Sequence, residues 1–233
     1  MVRVTYRATI AYDGGAFAGF SRQEDQRTVE GTLLEALRIL MPEITTVACG
    51  GRTDKGVHAT GQVISFWSRG ALERERLWAV LDSAAPDALA VRALTVVPRR
   101  FHASFSATAR RYSYFHRDEG KADVEALDAL LGQLVGTRCF SAFARDTPKG
   151  RSTVRRLLAA EARRWGPEVV RIDLCATGFL RRQVRVTVAT ALREAAMGGA
   201  ADRLVELAAG GDRRATAPAI DGGGLYLVGV DYG

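Results

Sequence analysis

Residues 49–66, CGGRTDKGVHATGQVISF, combine a basic, glycine-rich segment with an apolar run that follows at once. The glycines allow sharp backbone turns and close approach of a ligand. Asp54 lies in this segment between Arg52 and Lys55. The run at residues 62–67 is short and rich in β-branched and other apolar residues, which is typical of a β-strand. The stretch therefore predicts a strand entered through a loop that presents one carboxylate among cations.

The segments around this loop predict a βαββαβ order for the first part of the chain. Apolar residues repeat at helical spacing over residues 29–40 and again over 72–81. Short runs rich in β-branched or alternating apolar residues predict four strands, at residues 4–12, 46–49, 62–67 and 89–97. This order is that of the ferredoxin-like split βαβ fold.

A second series of elements follows Pro98. Strands are predicted at residues 104–116, 139–143 and 225–230, and a hairpin at 154–165 and 169–176 turns at Gly166-Pro167. Helices are predicted at 124–135, 180–197 and 202–209. We therefore expect an α+β fold with two ferredoxin-like or RRM-like halves. Their sheets would be mainly antiparallel and flanked by helices, with domains at 1–98 and 99–233 and the active-site cleft between them.

Composition indicates a folded protein with a polyanionic partner. Hydrophobic residues make up 47% and charged residues 25% of the 233 positions, which argues against disorder. Lys and Arg outnumber Asp and Glu by 33 to 26, a net charge of +7. Arginine supplies nearly all of the positive charge, and guanidinium pairs bidentately with phosphate. This balance favours a nucleic-acid partner over an uncharged one.

Membrane insertion and metal binding are not expected. The chain lacks an uncharged stretch of about 18 residues, and its start alternates like a strand rather than a signal peptide. Three cysteines without a CxxC motif and three histidines without HExxH spacing predict neither a disulfide framework nor a metal site. A cytoplasmic location is therefore expected.

Several stretches together resemble one family. Residues 49–63 are similar to the signature G-R-T-D-x-G-V-H of the TruA family of tRNA pseudouridine synthases. Residues 12–23, 101–112 and 223–232 resemble the opening loop, the FHARFSATARRY segment and the terminal strand of that family. Taken alone, Gly-Arg-Thr-Asp is more often a turn in which the aspartate caps a backbone amide. The resemblance spans almost the whole chain, so the sequence is identified as a member of the family.

The resemblance also implies roles for particular residues. Asp54 is the nucleophile during base detachment, and Arg52 helps to hold the target nucleotide. Tyr112 contacts the target base, although by its pattern alone it reads as core. Arg185 matches the arginine that pairs with the catalytic aspartate; its other reading is a solvated arginine at the edge of a helix. Two further substrate-binding candidates precede Tyr112 in a basic run, Arg110 and Arg111.

The implied activity is isomerisation of uridine to pseudouridine in the anticodon stem-loop of tRNA, at positions 38 to 40. The base is flipped out for reaction, and neither cofactor nor metal takes part. The family acts as a homodimer. Three alternatives stay open: a non-catalytic RNA-binding protein of two RRM-like modules, which lacks the expected RNP pattern; a hydrolase that uses the same aspartate; and a synthase with another RNA target.

The chain departs from the family pattern in three places. Phe20 stands where a tryptophan is expected, and Gln183 where a methionine is expected. The spacer between Tyr114 and the helix predicted at 124 is short for the family. None of these departures changes Asp54, Tyr112 or Arg185.

Overall fold

The computed structural model describes residues 2–148 and 150–233. Contacts within the chain divide it into two compact units. The first unit contains the chain up to Thr108 together with Tyr226–Gly233, and the second contains Ala109–Leu225. Each unit combines strands with helices, so the expectation of an α+β fold is confirmed.

The first unit has the βαββαβ order that the sequence predicts. Its elements are β1 (Arg3–Tyr12), α1 (Val29–Leu37), β2 (Ala48–Cys49), β3 (His58–Arg69), α2 (Arg74–Asp82) and β4 (Leu89–Val97). The strands lie in the order β4-β1-β3, and β2 pairs with β3. All three pairings are antiparallel, which is the ferredoxin-like arrangement.

One face of this sheet forms the core of the first unit. On β1 the buried Tyr6, Ala8 and Ile10 alternate with more exposed residues, as expected for a strand with one covered face. The helices contribute buried side chains at helical spacing, among them Leu33 and Leu37 of α1. The hydroxyl of Thr28 accepts a hydrogen bond from Gly31 N and caps α1.

The last strand, β9 (Leu225–Tyr232), runs parallel to β3, with His58 opposite Tyr226. Strand β9 approaches β3 closely at Gly61: a Cβ atom at this position would lie 2.3 Å from the Val228 carbonyl oxygen. The contact boundary at Thr108 and the return of Tyr226–Gly233 differ from the predicted domains 1–98 and 99–233.

The physical reason for the later boundary lies in the segment after β4. Ala103 N donates to Ser65 Oγ at 2.9 Å, and Tyr232 OH donates to the Ala103 carbonyl at 2.8 Å. The ring of Phe101 packs 4.9 Å from that of Tyr232. These contacts attach the segment after Pro98 to the first unit.

The second unit is an antiparallel sheet with three helices. Its elements are β5 (Ala107–Arg117), which begins at the end of the first unit, α3 (Val124–Gly132), β6 (Gly136–Cys139), β7 (Val154–Gly166), β8 (Val169–Ala176), α4 (Gln183–Ala196) and α5 (Arg203–Gly210). The strands lie in the order β5-β8-β7-β6. The predicted hairpin is confirmed. It joins β7 directly to β8, so no helix lies between these two strands.

The predicted strand at 139–143 is wrong. Strand β6 ends at Cys139, and a 3₁₀ turn follows over Ser141–Phe143. Phe140 and Phe143 are both buried, with ring centroids 6.1 Å apart. Apolar side chains three residues apart share one side of a helical turn but lie on opposite faces of a strand. Burial of both phenylalanines therefore selects the turn.

Within the part of the chain that the structure describes, every helix is too short or too polar to cross a membrane.

Candidate active site

The Asp54 loop is anchored at its start by strand β3. Gly50 N donates to the Val63 carbonyl at 2.8 Å, continuing the pairing of β2 with β3. The Gln62 side chain then holds Gly51 from both sides: Gly51 N donates to Oε1 at 3.3 Å, and Nε2 donates to the Gly51 carbonyl at 2.6 Å. Gln62 is fully buried. A buried amide that satisfies a loop backbone in this way fixes the position of the loop.

A second anchor comes from strand β1. Tyr12 OH and Thr53 Oγ1 lie 2.7 Å apart and share a hydrogen bond, and Gln62 Nε2 donates to the same phenol at 3.4 Å. All three residues are buried. Burial raises the pKa of the Tyr12 phenol well above its ordinary value, despite the opposing hydrogen bonds from Thr53 and Gln62. The phenol therefore acts as a neutral hydrogen-bonding group beneath the loop.

The segment before α1 supports the same loop from another side. Phe20 N donates to the Thr53 carbonyl at 3.0 Å, and the Phe20 ring is almost fully buried. Gly19 has φ of +109°, and a Cβ atom there would lie 3.1 Å from the Thr53 carbonyl oxygen. This close approach explains the need for glycine at position 19. Phenylalanine in place of the expected tryptophan still gives the segment a buried aromatic anchor.

These anchors leave the centre of the loop accessible. Asp54 is half-buried, whereas Arg52 and Lys55 are exposed. Val57 N donates to the Asp54 carbonyl at 3.1 Å, and Gly56 takes φ of +79° to close this turn. The carboxylate thus projects from a firmly held backbone, with cationic side chains at the neighbouring positions, as the glycine pattern predicts.

His58 has a supporting position next to the loop. Its ring stacks on Tyr226 with centroids 4.7 Å apart. Its Nδ1 lies 3.1 Å from Asp13 Oδ1 and 3.3 Å from Gly14 N. These contacts tie the start of β3 to the turn after β1 and to β9. His58 therefore packs beside the Asp54 loop and connects these segments.

In the second unit, Tyr112 lies in the middle of β5 opposite Leu174. Its side chain is 8% exposed and meets the edge of Phe179 at 5.4 Å, with the rings at 87°. An edge-to-face aromatic contact of this kind fixes the ring plane. Tyr112 is therefore a rigidly held aromatic side chain.

Arg185 lies in the first turn of α4 and is half-buried. Its Nε donates to the Ile220 carbonyl at 2.6 Å, and Ile220 N donates back to the Arg185 carbonyl at 3.3 Å. The guanidinium is thereby oriented by backbone. Burial raises the pKa of the Tyr114 phenol; the negative charge of Asp221 adds to that rise, and the positive charge of Arg185 opposes it. Tyr114, Arg185 and Asp221 therefore share one electrostatic environment.

The two arginines before Tyr112 differ in their surroundings. Arg110 is half-buried, and its Nη1 donates to the Thr177 carbonyl at 2.7 Å. Arg111 is exposed on the other face of the strand. The second unit thus contains Arg110, Arg111, Tyr112 and Arg185, and the first contains Arg52 and Asp54.

Sequence reasoning missed the residues that hold these groups in place. The signal for Tyr12 was present in its position beside Asp13-Gly14, but its partners Thr53 and Gln62 carry no motif of their own. Asp221 stands in a glycine-rich stretch that reads as a turn. Its proximity to Tyr114 and Arg185 appears only in the folded chain.

Among the described residues, no group of three or more His, Cys, Asp or Glu side chains is arranged to hold a metal ion.

Comparison with known families gives one consistent result. The chain matches the family model described as tRNA pseudouridine synthase over residues 8–106 and 130–233. It is 36% identical to tRNA pseudouridine synthase A of Escherichia coli K12, and equally so to the proteins of the same name from Citrobacter koseri and Salmonella newport. Each alignment covers 96% of this chain and 88% of the relative.

Similarity to solved structures is much weaker. The archaeal box H/ACA sRNP Nop10-Cbf5 complex matches with a TM-score of 0.37 and 10% identity, over 79% of this chain and 43% of that one. A similarity at that level carries no argument about the site.

Proposed function

The chain belongs to the tRNA pseudouridine synthase family, and from that premise we propose that Asp54 is the nucleophile with which it isomerises uridine in tRNA. The observation that carries this assignment is the position of Asp54 in the loop. Its carboxylate is half-buried on a backbone that Gln62, Tyr12 and Phe20 hold from three sides. A nucleophile held in this way loses little conformational freedom when it attacks.

The reaction balances without any further reagent. The bond between N1 of the uracil and C1′ of the ribose breaks, and a bond between C5 and C1′ forms. C5 loses its proton and N1 gains one, so substrate and product are isomers. Asp54 can enter this sequence by attack on the sugar, by attack on the ring, or as the base that leads to a glycal. Each path requires the uridine to leave the stack, because its glycosidic bond is inaccessible within a stem.

The other residues supply binding and orientation in this proposal. Arg52 is exposed in the same loop and is suited to contact the target nucleotide. By the family resemblance, Tyr112, whose buried ring meets Phe179 edge to face, contacts the displaced base, and Arg110 and Arg111 contact neighbouring phosphates. The family resemblance implies that Arg185, whose guanidinium is oriented by the Ile220 carbonyl, is the partner of the catalytic aspartate.

We place the target uridine in the anticodon stem-loop, and we propose a cytoplasmic homodimer. Both rest on the family resemblance, and the strongly basic composition supports an RNA substrate. Mapping of pseudouridine in a modified tRNA transcript identifies the position. Light scattering after size-exclusion chromatography gives the number of chains in the particle.

The direct test is release of tritium from unmodified tRNA labelled at uracil C5. We expect release by the wild type and none by Asp54→Asn, which keeps the side-chain shape and removes the negative charge. Asp87→Asn, an exposed aspartate elsewhere in the first unit, serves as the matched control and should behave like the wild type. Near-normal release by Asp54→Asn would disprove the nucleophile assignment.

Analysis of the products separates the remaining alternatives. A hydrolase that uses Asp54 liberates free uracil, whereas an isomerase keeps the base attached. A protein that only binds RNA gives neither tritium nor uracil. A synthase with another RNA target gives tritium from total RNA but not from the tRNA transcript.

A further inference from the structure

The first unit carries a basic surface at the end of its sheet that is farthest from the Asp54 loop. Arg3, Trp67, Arg69 and Arg99 line an open recess of about 510 Å³ there. All four side chains are exposed, and the Trp67 indole is 43% exposed. We call these four residues the arginine–tryptophan surface.

The register of β1 and β3 places the members of this surface on one face. Arg3 is directly opposite Arg69, and Thr5 is opposite Trp67. Side chains two residues apart on a strand share a face. The other face carries Tyr6, whose hydroxyl accepts a hydrogen bond at 2.7 Å from Leu72 N in the segment just before α2. The arginine–tryptophan surface therefore lies on the side of the sheet opposite the helical core.

A hydrogen bond from β1 to the backbone of Arg99 holds this residue on the same face. Its carbonyl accepts a hydrogen bond from the buried hydroxyl of Thr5 at 3.5 Å. Ala103 N, four residues later, donates to Ser65 Oγ, which lies on the same face of β3. The segment that carries Arg99 is thus tied to both strands.

These arginines carry positive charge that no nearby carboxylate neutralises. In residues 2–148 and 150–233, Arg3, Arg69 and Arg99 form no ion pair. The guanidinium carbon of Arg3 lies 5.0 Å from the centre of the Trp67 ring. A cation–π contact orients a guanidinium and leaves its N–H groups available to an acceptor. The recess therefore presents three cations with free hydrogen-bonding capacity.

This surface is distant from the catalytic loop. Strand β3 has 12 residues, and His58 at its start adjoins the loop while Trp67 and Arg69 lie at its end. At about 3.3 Å per residue the two ends are roughly 36 Å apart. A ligand that reaches both must be a long polyanion rather than a single nucleotide.

We propose that the arginine–tryptophan surface binds the phosphodiester backbone of the tRNA substrate at a point remote from the target uridine. The inference rests on the proposed function for the identity of the RNA. Three unpaired guanidinium groups complement successive phosphates, and the exposed indole of Trp67 offers a stacking surface for an unpaired base. A second copy of this chain suits the surface less well, because it also carries a net charge of +7.

The test compares the binding of two RNAs by two charge-matched variants. One variant is Arg3→Gln/Arg69→Gln/Arg99→Gln. The control, Arg38→Gln/Arg76→Gln/Arg92→Gln, removes three positive charges elsewhere in the first unit. Fluorescence anisotropy gives Kd for a full-length tRNA transcript and for an isolated anticodon stem-loop over a range of salt concentrations.

We expect the first triple variant to raise Kd for full-length tRNA about tenfold or more and to reduce the slope of log Kd against log salt by about 2. Its Kd for the isolated stem-loop should equal that of the control variant. An effect on full-length tRNA no larger than that of the control would overturn the proposal. So would an equal loss of affinity for both RNAs, since the contact would then lie at the stem-loop itself.

Two further measurements test base stacking on Trp67 and ask whether a second copy of the chain occupies the surface instead of RNA. Trp67→Phe should keep most of the affinity for tRNA, and Trp67→Ala should lose it, if a base stacks there. A changed particle mass in the first triple variant, with Kd unaltered, would instead identify a protein–protein interface and overturn the proposal. Tritium release by the wild type from the isolated stem-loop tests the proposed function separately, because that RNA lacks the remote contact.

Discussion

The phenol of Tyr12 and the hydroxyl of Thr53 lie 2.7 Å apart in the core of the first unit. This hydrogen bond joins the end of β1 to the residue immediately before Asp54. Gln62 Nε2 approaches the same phenol from β3. The position of Asp54, the proposed nucleophile, is therefore set by two strands of the sheet rather than by the loop alone.

Removing that phenol should affect both stability and catalysis. Tyr12→Phe leaves the Thr53 hydroxyl and one Gln62 N–H without their partner, and we expect a loss of about 1–3 kcal/mol in the free energy of unfolding. The initial rate of tritium release should fall as well, because the Asp54 backbone is less firmly held. Tyr6→Phe is the matched control on the same strand, since Tyr6 OH accepts a hydrogen bond from Leu72 N far from the Asp54 loop. It should lower stability without slowing the reaction; similar rate losses in both variants would refute a specific role for Tyr12.

The buried Tyr12 phenol should also make stability sensitive to alkaline pH. Its pKa is raised by burial in the folded state, whereas in the unfolded chain it is about 10. The folded protein therefore keeps a proton that the unfolded chain releases. The stabilisation is complete below about pH 10 and is lost as the pH rises through the higher pKa of the folded state. Urea unfolding at pH 8 to 11 should show a steeper decline for the wild type than for Tyr12→Phe, and parallel curves would contradict this origin.

Gly14 is predicted to be intolerant of any side chain. A Cβ atom there would lie 2.1 Å from the Val57 carbonyl oxygen, so the backbone next to the Asp54 loop must move. We expect Gly14→Ala to cost about 1–3 kcal/mol in stability and to slow tritium release. Gly132→Ala in α3 meets no atom within 4 Å and should stabilise the fold by about 0.5–1 kcal/mol. Thermal unfolding of the two variants, compared with the wild type, measures the contrast.

Arg185 should not be replaceable by lysine. Its Nε donates to the Ile220 carbonyl, and the same planar guanidinium carries two further nitrogens for the proposed contact with a carboxylate. A lysine has one nitrogen for both tasks and lacks the planar fork. Loss of one charge-assisted hydrogen bond, about 1.5–3 kcal/mol, corresponds to a fall in kcat of roughly tenfold to a hundredfold. The control Arg156→Lys, on the exposed face of β7, should retain the wild-type kcat. If Arg185→Lys had the same kcat as this control, the proposed role of Arg185 would be excluded.

Local sequence patterns predicted most of the elements because their causes are local. The strand at Leu89–Val97 and the start of α1 at Val29 agree with the structure, as does the hairpin that turns after Gly166. Amphipathic spacing, a threonine cap and a Gly-Pro turn all act within a few residues. The strand predicted at 139–143 was wrong because strand-like alternation and helical spacing are hard to distinguish over so few residues. Burial of both Phe140 and Phe143 decided between them.

Long-range pairing lay beyond those patterns. Nothing near Tyr226 indicates that it pairs with His58, or that the last strand returns to the first unit. Likewise, the attachment of residues 99–108 to that unit depends on Ser65 and Tyr232. Such contacts form only when distant strands have already come together, so local sequence propensity does not predict them.

The sequence by itself indicated the family of this protein and the residues proposed for its chemistry: the Asp54 carboxylate, with the glycines and cationic side chains beside it in the chain. The tertiary structure alone decided what holds the carboxylate in place. Tyr12 meets Thr53 across 41 positions and Gln62 across 50. These polar groups are paired because the sheet buries them together, and an unpaired buried polar group is costly.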